Sequence, residues 1–195
     1  MKRSTHDDAR QVQLGLTLVE ILVAVAVLGV ILAVATPSLA ALMERRRVIA
    51  VAGELASLFN YAKSETNAIG NELVLHLEPM SDMDASCARI SNASNFDNCG
   101  CDKPAAEVCN TPASQKLREF ILPRDTGVSF VASGTWSVDK NQVYFSRNRH
   151  YTDIANVHVT VTGRRTGTQL RIEYNNVGRV RICSPADVVG GFQAC

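Results

Sequence analysis

Between Leu16 and Met43 the chain is almost unbroken hydrocarbon, and one carboxylate, Glu20, interrupts it. From Ile21 to Ala35 no residue is charged or strongly polar. A helix rises about 1.5 Å per residue, so roughly 20 such residues cross the hydrocarbon of a bilayer. The run from Leu16 to Leu42 is therefore long enough to span a membrane. The fifteen residues before it are polar and carry Lys2, Arg3 and Arg10 against Asp7 and Asp8, so they stay outside. A carboxylate inside a membrane helix costs on the order of 2.5–3.5 kcal/mol at the bilayer centre and less near an interface. Proteolysis would create a partner for it. A cut between Gly15 and Leu16 leaves an α-ammonium four residues before Glu20, and in a staggered bundle that cation meets the Glu20 of a neighbouring copy. The alternative is that Glu20 simply sits at the headgroup boundary.

The segment Gly15-Leu-Thr-Leu-Val-Glu20, followed by the apolar run, resembles the class III signal of type IV prepilins and type II secretion pseudopilins. The resemblance implies that a prepilin peptidase cuts after Gly15 on the cytoplasmic face and methylates the new N-terminal residue, Leu16. It makes Glu20 the assembly glutamate and matches Pro37 to a proline common late in the membrane segment. Leu16 stands where phenylalanine is usual, and Val19 where isoleucine is common. An ordinary secretory signal is the rival, with Ser38-Leu39-Ala40 as its small residues. Against it stand the long polar leader, Glu20 within the apolar run and the length of that run. Pro37 removes the donor that would bond the Ala33 carbonyl, which predicts a kink or a melted stretch, unless the proline is merely tolerated.

After Met43 comes Glu44-Arg45-Arg46-Arg47. A basic cluster beside a span usually marks the cytoplasmic side, so by charge alone it competes with the leader for orientation. The prepilin signal and the cysteines decide for a periplasmic C-terminal domain, with the arginines resting against lipid headgroups. Beyond the cluster, Val48, Ala52, Leu55, Phe59, Ala62, Thr66 and Ile69 advance by alternating steps of four and three. They form one face of an amphipathic helix that packs on a domain. Gly70-Asn71 is a stop signal. The reading divides the chain into a leader at 1–15, a transmembrane half-helix at 16–43, an amphipathic half-helix at 44–70 and a periplasmic β domain at 71–195. The 195 residues suit one helix plus one domain of ordinary size. The expected class is α+β, a pilin-like lollipop with a long N-terminal helix packed on an antiparallel β domain.

Short alternating segments parted by Gly, Asn and Ser predict the strands. They are Leu73, Leu75 and Leu77 with their neighbours, then Val128–Val131, Val143–Phe145, Val157–Thr162, Leu170–Tyr174 and Arg179–Ile182. His76 and His158 fall at outward, solvated positions of this pattern, His150 in an arginine-rich loop and His6 in the leader. The stretch 80–115 breaks the rhythm. It is acidic, holds four of the six cysteines and reads as a long insertion loop tied by disulfides. Six cysteines, all after the apolar run, point to an oxidising compartment and allow 15 connectivities. Cys87, Cys99, Cys101 and Cys109 contain no Cys-x-x-Cys pair, which weakens a zinc reading. Cys99 and Cys101 are too close in sequence to bond each other readily. No catalytic constellation, phosphate loop or metal-binding helix motif is present, so neither an enzyme nor a cofactor is expected.

Charge is polarised along the domain. Residues 71–115 hold seven acids against two bases, and residues 116–195 hold eleven bases against six acids. The basic end centres on Arg164, Arg165, Arg171, Arg179 and Arg181. A hairpin with Asn175-Asn176-Val177 as its loop sets Glu173 opposite Arg179 and Arg171 opposite Arg181. Leu170, Ile172, Val180 and Ile182 then share the buried face. Glu173 and Arg179 would form a cross-strand ion pair, whereas directly opposed arginines repel, and a bound anion such as a nucleic-acid phosphate would relieve them. Arg164 and Arg165 would extend that patch.

A β domain ending in Gly178-Arg-Val-Arg181 before a C-terminal cysteine resembles the GspH/FimT family of minor pilins and pseudopilins. The FimT branch is associated with a Gly-Arg-x-Arg element that binds DNA during natural transformation, which Arg179 and Arg181 match. Pilins often close a C-terminal loop with a disulfide, which here would join Cys183 to Cys195. The implied partners are the prepilin peptidase, other minor and major pilins or pseudopilins, the inner membrane and double-stranded DNA. The implied location is a single pass through the inner membrane of a Gram-negative bacterium, then a pilus or pseudopilus. A minor pseudopilin of a type II secretion system, contacting only protein, is the alternative.

Overall fold

The computed structural model describes residues 17–79, 85–92, 98–103, 107–134, 142–146, 157–175, 177–185 and 189–195. One helix, α1, runs from Leu18 to Ile69 without a break. Thr17 precedes it, and its hydroxyl accepts the Glu20 N–H at 3.3 Å. This is half of a capping box, in which a Thr and a Glu three residues later close the first turn. The melted stretch expected at Pro37 is not formed, because the helix continues through it. The Thr36 hydroxyl donates to the Leu32 carbonyl at 2.6 Å and so supplies a hydrogen bond one residue before the missing donor.

The chain divides into two compact units, residues 1–40 and 41–195. In the first, every described residue from Leu18 to Leu39 is exposed, Leu18 by 76 % and Val34 by 72 %. That stretch of α1 is long and apolar enough to cross a membrane.

In the second unit the remainder of α1 packs on two four-stranded antiparallel sheets. Strands β1 (Leu73–Pro79), β2 (Ala85–Asn92), β3 (Lys116–Pro123) and β5 (Gln142–Phe145) form one, in the order β3-β2-β1-β5. Strands β4 (Val128–Ser133), β6 (Val157–Gly163), β7 (Gln169–Tyr174) and β8 (Val180–Cys183) form the other, in the order β4-β6-β7-β8. Val48, Leu55, Leu58 and Phe59 of α1 meet Leu73 and Leu75 of β1, Ile90 of β2, and Leu170 and Ile172 of β7 in one core. Burying each such side chain is worth about 1.5–3 kcal/mol, so this face fixes how the helix docks. The expected stripe is buried from Val48 to Thr66, while Ile69, at the helix end, is 50 % exposed.

The expected insertion loop contains a strand. β2 pairs with the whole length of β1, with Leu75 opposite Ile90 and His76 opposite Arg89. Its alternation is hard to see in sequence because both of its faces are buried. Ala88 and Ile90 face the main core. On the other face Cys87 bonds Cys101, and Arg89 donates to the carbonyls of Cys99 and Gly100. The segment around Cys99–Cys101 thus covers the outer side of β1 and β2. His76 is consequently fully buried rather than solvated, with its Nε2 3.1 Å from the Ser91 hydroxyl. Cys99 bonds Cys109, and Cys183 bonds Cys195.

Candidate functional site

Gly15 and Leu16, the expected cleavage pair, lie outside the described residues, as do His6 and His150. Glu20 is exposed in the first turn of α1, where a carboxylate also faces the positive end of the helix dipole. Its place in the helix thus has a local explanation beside the intermolecular one.

The basic hairpin differs from its expected register. Tyr174 lies opposite Val180, Glu173 opposite Arg181, Ile172 opposite Ile182 and Arg171 opposite Cys183. The shift is two residues, so the same apolar side chains stay on the buried face, and alternation alone could not separate the two registers. The turn is longer than expected. The Gly178 N–H donates to the Asn175 carbonyl, the Asn175 N–H to the Arg179 carbonyl, and the Arg179 N–H to the Asn175 side-chain oxygen at 2.8 Å. Gly178 has φ +77°, and a Cβ there would lie 3.0 Å from Lys63 Nζ and 3.2 Å from the Tyr174 hydroxyl. Lys63 donates to the Gly178 carbonyl at 2.9 Å. The glycine of the Gly-Arg-Val-Arg segment is therefore required by the turn and by its docking on α1. Beneath it Tyr174 stacks on Phe59 at 5.1 Å, and burial pushes its hydroxyl pKa up to about 12.

This register removes two expected pairs. Arg171 and Arg181 are not directly opposed, so the repulsion that called for an anion is not present in that form. Glu173 does not oppose Arg179. Arg181 donates instead to the Ala194 carbonyl at 2.8 Å, and Glu173 lies within 4.8 Å of the Cys183–Cys195 sulfurs. Arg179 is exposed and, among the described residues, its guanidinium has no hydrogen bond or ion pair. Arg164 and Arg165 occupy the β6–β7 turn, at the opposite end of β7 from Arg179. Six residues of strand separate the two ends by about 20 Å, so these arginines do not form one patch.

The β6–β7 turn holds a residue the sequence reading passed over. Glu44 is only 8 % exposed. Its carboxylate accepts the Arg165 N–H at 3.1 Å, the Thr166 N–H at 2.8 Å and the Thr166 hydroxyl at 2.8 Å. Gly163 admits it, since a Cβ there would lie 2.6 Å from Glu44 Oε1. Burial by itself would raise the Glu44 pKa. The Thr166 and Arg165 hydrogen bonds and the Arg165 charge outweigh it and hold the carboxyl below its ordinary value of 4.5. A signal existed: extending the stripe one turn back from Val48 lands on Glu44, a lone acid on a face otherwise buried.

The profile of the prokaryotic N-terminal methylation motif matches residues 10–36. No curated protein matches the chain. Among solved structures, the minor pseudopilin EpsH from the Type 2 Secretion System of Vibrio cholerae resembles it with a TM-score of 0.47 and 10 % identity, covering 72 % of this chain and 98 % of that one. The Pseudomonas aeruginosa type IV minor pilin FimU resembles it with a TM-score of 0.47 and 13 % identity, covering 76 % of this chain and 99 % of that one.

Proposed function

We propose that the chain is the precursor of a minor type IV pilin or minor pseudopilin of the GspH/FimT kind, a structural subunit and not an enzyme. The observation that carries this reading is the methylation motif at 10–36 leading into a 52-residue helix, apolar and exposed at first and then built into a β domain. In this account a prepilin peptidase removes residues 1–15 and methylates Leu16. The helix holds the subunit in the inner membrane with its C-terminal domain in the periplasm. The new α-ammonium pairs with the Glu20 of a neighbour, relieving a carboxylate that hydrocarbon would otherwise penalise. Recovery of the chain in sheared pili or pseudopili tests this. Wild-type protein is expected in the filament fraction, and Glu20→Ala is expected to be processed but left in the membrane. Normal incorporation of Glu20→Ala would leave only the capping role for that residue.

The exposure of Arg179 favours a second element, contact with duplex DNA through Arg179 and Arg181 at the end of the β7–β8 hairpin. Arg171 would flank that contact, and Arg164 and Arg165 would lie outside it. The oxidised unit Ala41–Cys195 would bind duplex DNA with affinity falling as salt rises. Arg179→Gln with Arg181→Gln would lower the salt slope by about two, roughly one phosphate per arginine. Absence of binding at low salt, or a double variant that binds like its parent, would leave a subunit that contacts only protein, as a type II secretion pseudopilin does.

A further inference from the structure

Three arginines follow the apolar run, on the side of the membrane where short flanking segments usually lack them. The fold accounts for one, since Arg47 donates to the Thr126 carbonyl at 2.8 Å. Arg45 and Arg46 are exposed and have no hydrogen bond or ion pair among the described residues. Leu42, Arg45, Arg46 and Ile49 share one helix face, with spacings of three, one and three. That face forms one wall of a half-open cavity of about 320 Å³. Thr166 and Thr168 of the β6–β7 turn, Gln169 at the start of β7, and Val189 form the other wall. The cavity is therefore lined by cationic, hydroxyl, amide and apolar groups together. Glu44, the acid beside the arginines, is committed to the backbone of that same turn.

We infer that this cavity takes the headgroup of an anionic phospholipid from the leaflet the helix leaves. The inference rests on the membrane-anchored reading above. The 26 helical residues from Leu18 to Met43 span roughly 39 Å, close to a bilayer of about 40–45 Å with its headgroups. Arg45 and Arg46 come just after Met43 and Glu44, at the level of the lipid phosphates. Two guanidiniums bind one phosphate through charge-assisted hydrogen bonds, and the Thr168 hydroxyl and the Gln169 amide suit a glycerol headgroup. Leu42, Ile49 and Val189 give the start of an acyl chain an apolar contact. The lipid thereby neutralises arginines that the domain leaves exposed, and it steadies the junction where α1 leaves the membrane.

Two measurements on the full-length chain test this. Flotation with vesicles of phosphatidylcholine alone tests the anchor, and a chain that does not float overturns both the anchor and this inference. Native mass spectrometry from mixed micelles then compares adducts of phosphatidylglycerol and phosphatidylcholine. The expected result is a phosphatidylglycerol preference that falls at least about tenfold in Arg45→Gln with Arg46→Gln, the scale set by two juxtamembrane arginines. Arg179→Gln with Arg181→Gln should keep the preference. A floating chain with no preference, or one that the Arg45 and Arg46 changes leave intact, overturns the lipid site and leaves the anchor standing. Equal competition by inorganic phosphate would identify a soluble anion as the ligand and overturn the lipid assignment. So would a dimer, free of lipid, that the same changes dissociate, because a second copy would then fill the cavity.

Discussion

Arg89→Ala should destabilise the unit Ala41–Cys195 by roughly 3–5 kcal/mol in urea unfolding, with its disulfides intact. The Arg89 side chain is 1 % exposed, and its Nε lies 2.6 Å from the Glu119 carboxylate. The same guanidinium holds the carbonyls of Cys99 and Gly100. Truncation strands two buried carbonyls and leaves the partly buried Glu119 carboxylate with Lys116, 3.0 Å away, as its remaining ion-pair partner, and each lost bond carries a desolvation penalty. Glu119 is 22 % exposed, so solvent softens the loss toward the lower end of that range. Arg89→Met with Glu119→Leu should recover part of the loss, since it removes the carboxylate that has lost its buried partner. The recovery stays partial because the two carbonyls remain without their donor. A single Arg89→Ala change within about 1 kcal/mol of wild type would mean that water replaces the guanidinium and that the disulfides alone hold the Cys99–Cys101 cover.

Glu44→Ala should cost about 3 kcal/mol at neutral pH. It removes an acceptor from the N–H groups of Arg165 and Thr166 and from the Thr166 hydroxyl, and bonds to a charged group are each worth about 1.5–3 kcal/mol, though not additively. The effect depends on pH. The folded-state pKa of Glu44 lies below the ordinary value of 4.5, so the folded state binds the proton less tightly than the unfolded chain does. Its contribution is therefore present above about pH 4.5 and lost as pH falls through the lower, folded-state value. Glu119, also held low by Lys116 and Arg89 against the opposing effect of burial, acts in the same direction. Urea midpoints for wild type and Glu44→Gln should converge as pH falls below 4.5. A constant difference across that range would show that the charge of Glu44 contributes nothing.

The sequence was most legible where one pattern acts alone. The limits of α1, the buried stripe from Val48 to Thr66 and most strand positions follow from hydrophobic period and from the Gly70 stop signal. It was less legible where two structures satisfy the same pattern. The β7–β8 register moved by two residues without changing which side chains are buried, because an Asn175–Arg179 turn replaced a three-residue loop. β2 was hidden because Cys87, Arg89 and Ser91 occupy a face that only the disulfide-held segment makes an interior. His76 was misplaced for the same reason, since a polar residue on an alternating strand reads as solvated until a second layer covers it. β3 was hidden by its mixed burial, with charged and apolar residues on both faces of an edge strand. The arginines at the basic end were all legible as residues. Their distribution between the two ends of β7 was not, because it depends on chain reversal at each turn.

The mass and N-terminal sequence of the mature chain, recovered from cells that contain a prepilin peptidase, test the central claim most directly. The account predicts a chain that begins at Leu16, carries one added methyl on its α-nitrogen and retains every residue to Cys195. A chain that keeps residues 1–15, or one cut near Ser38-Leu39-Ala40 and released from the membrane, would contradict it.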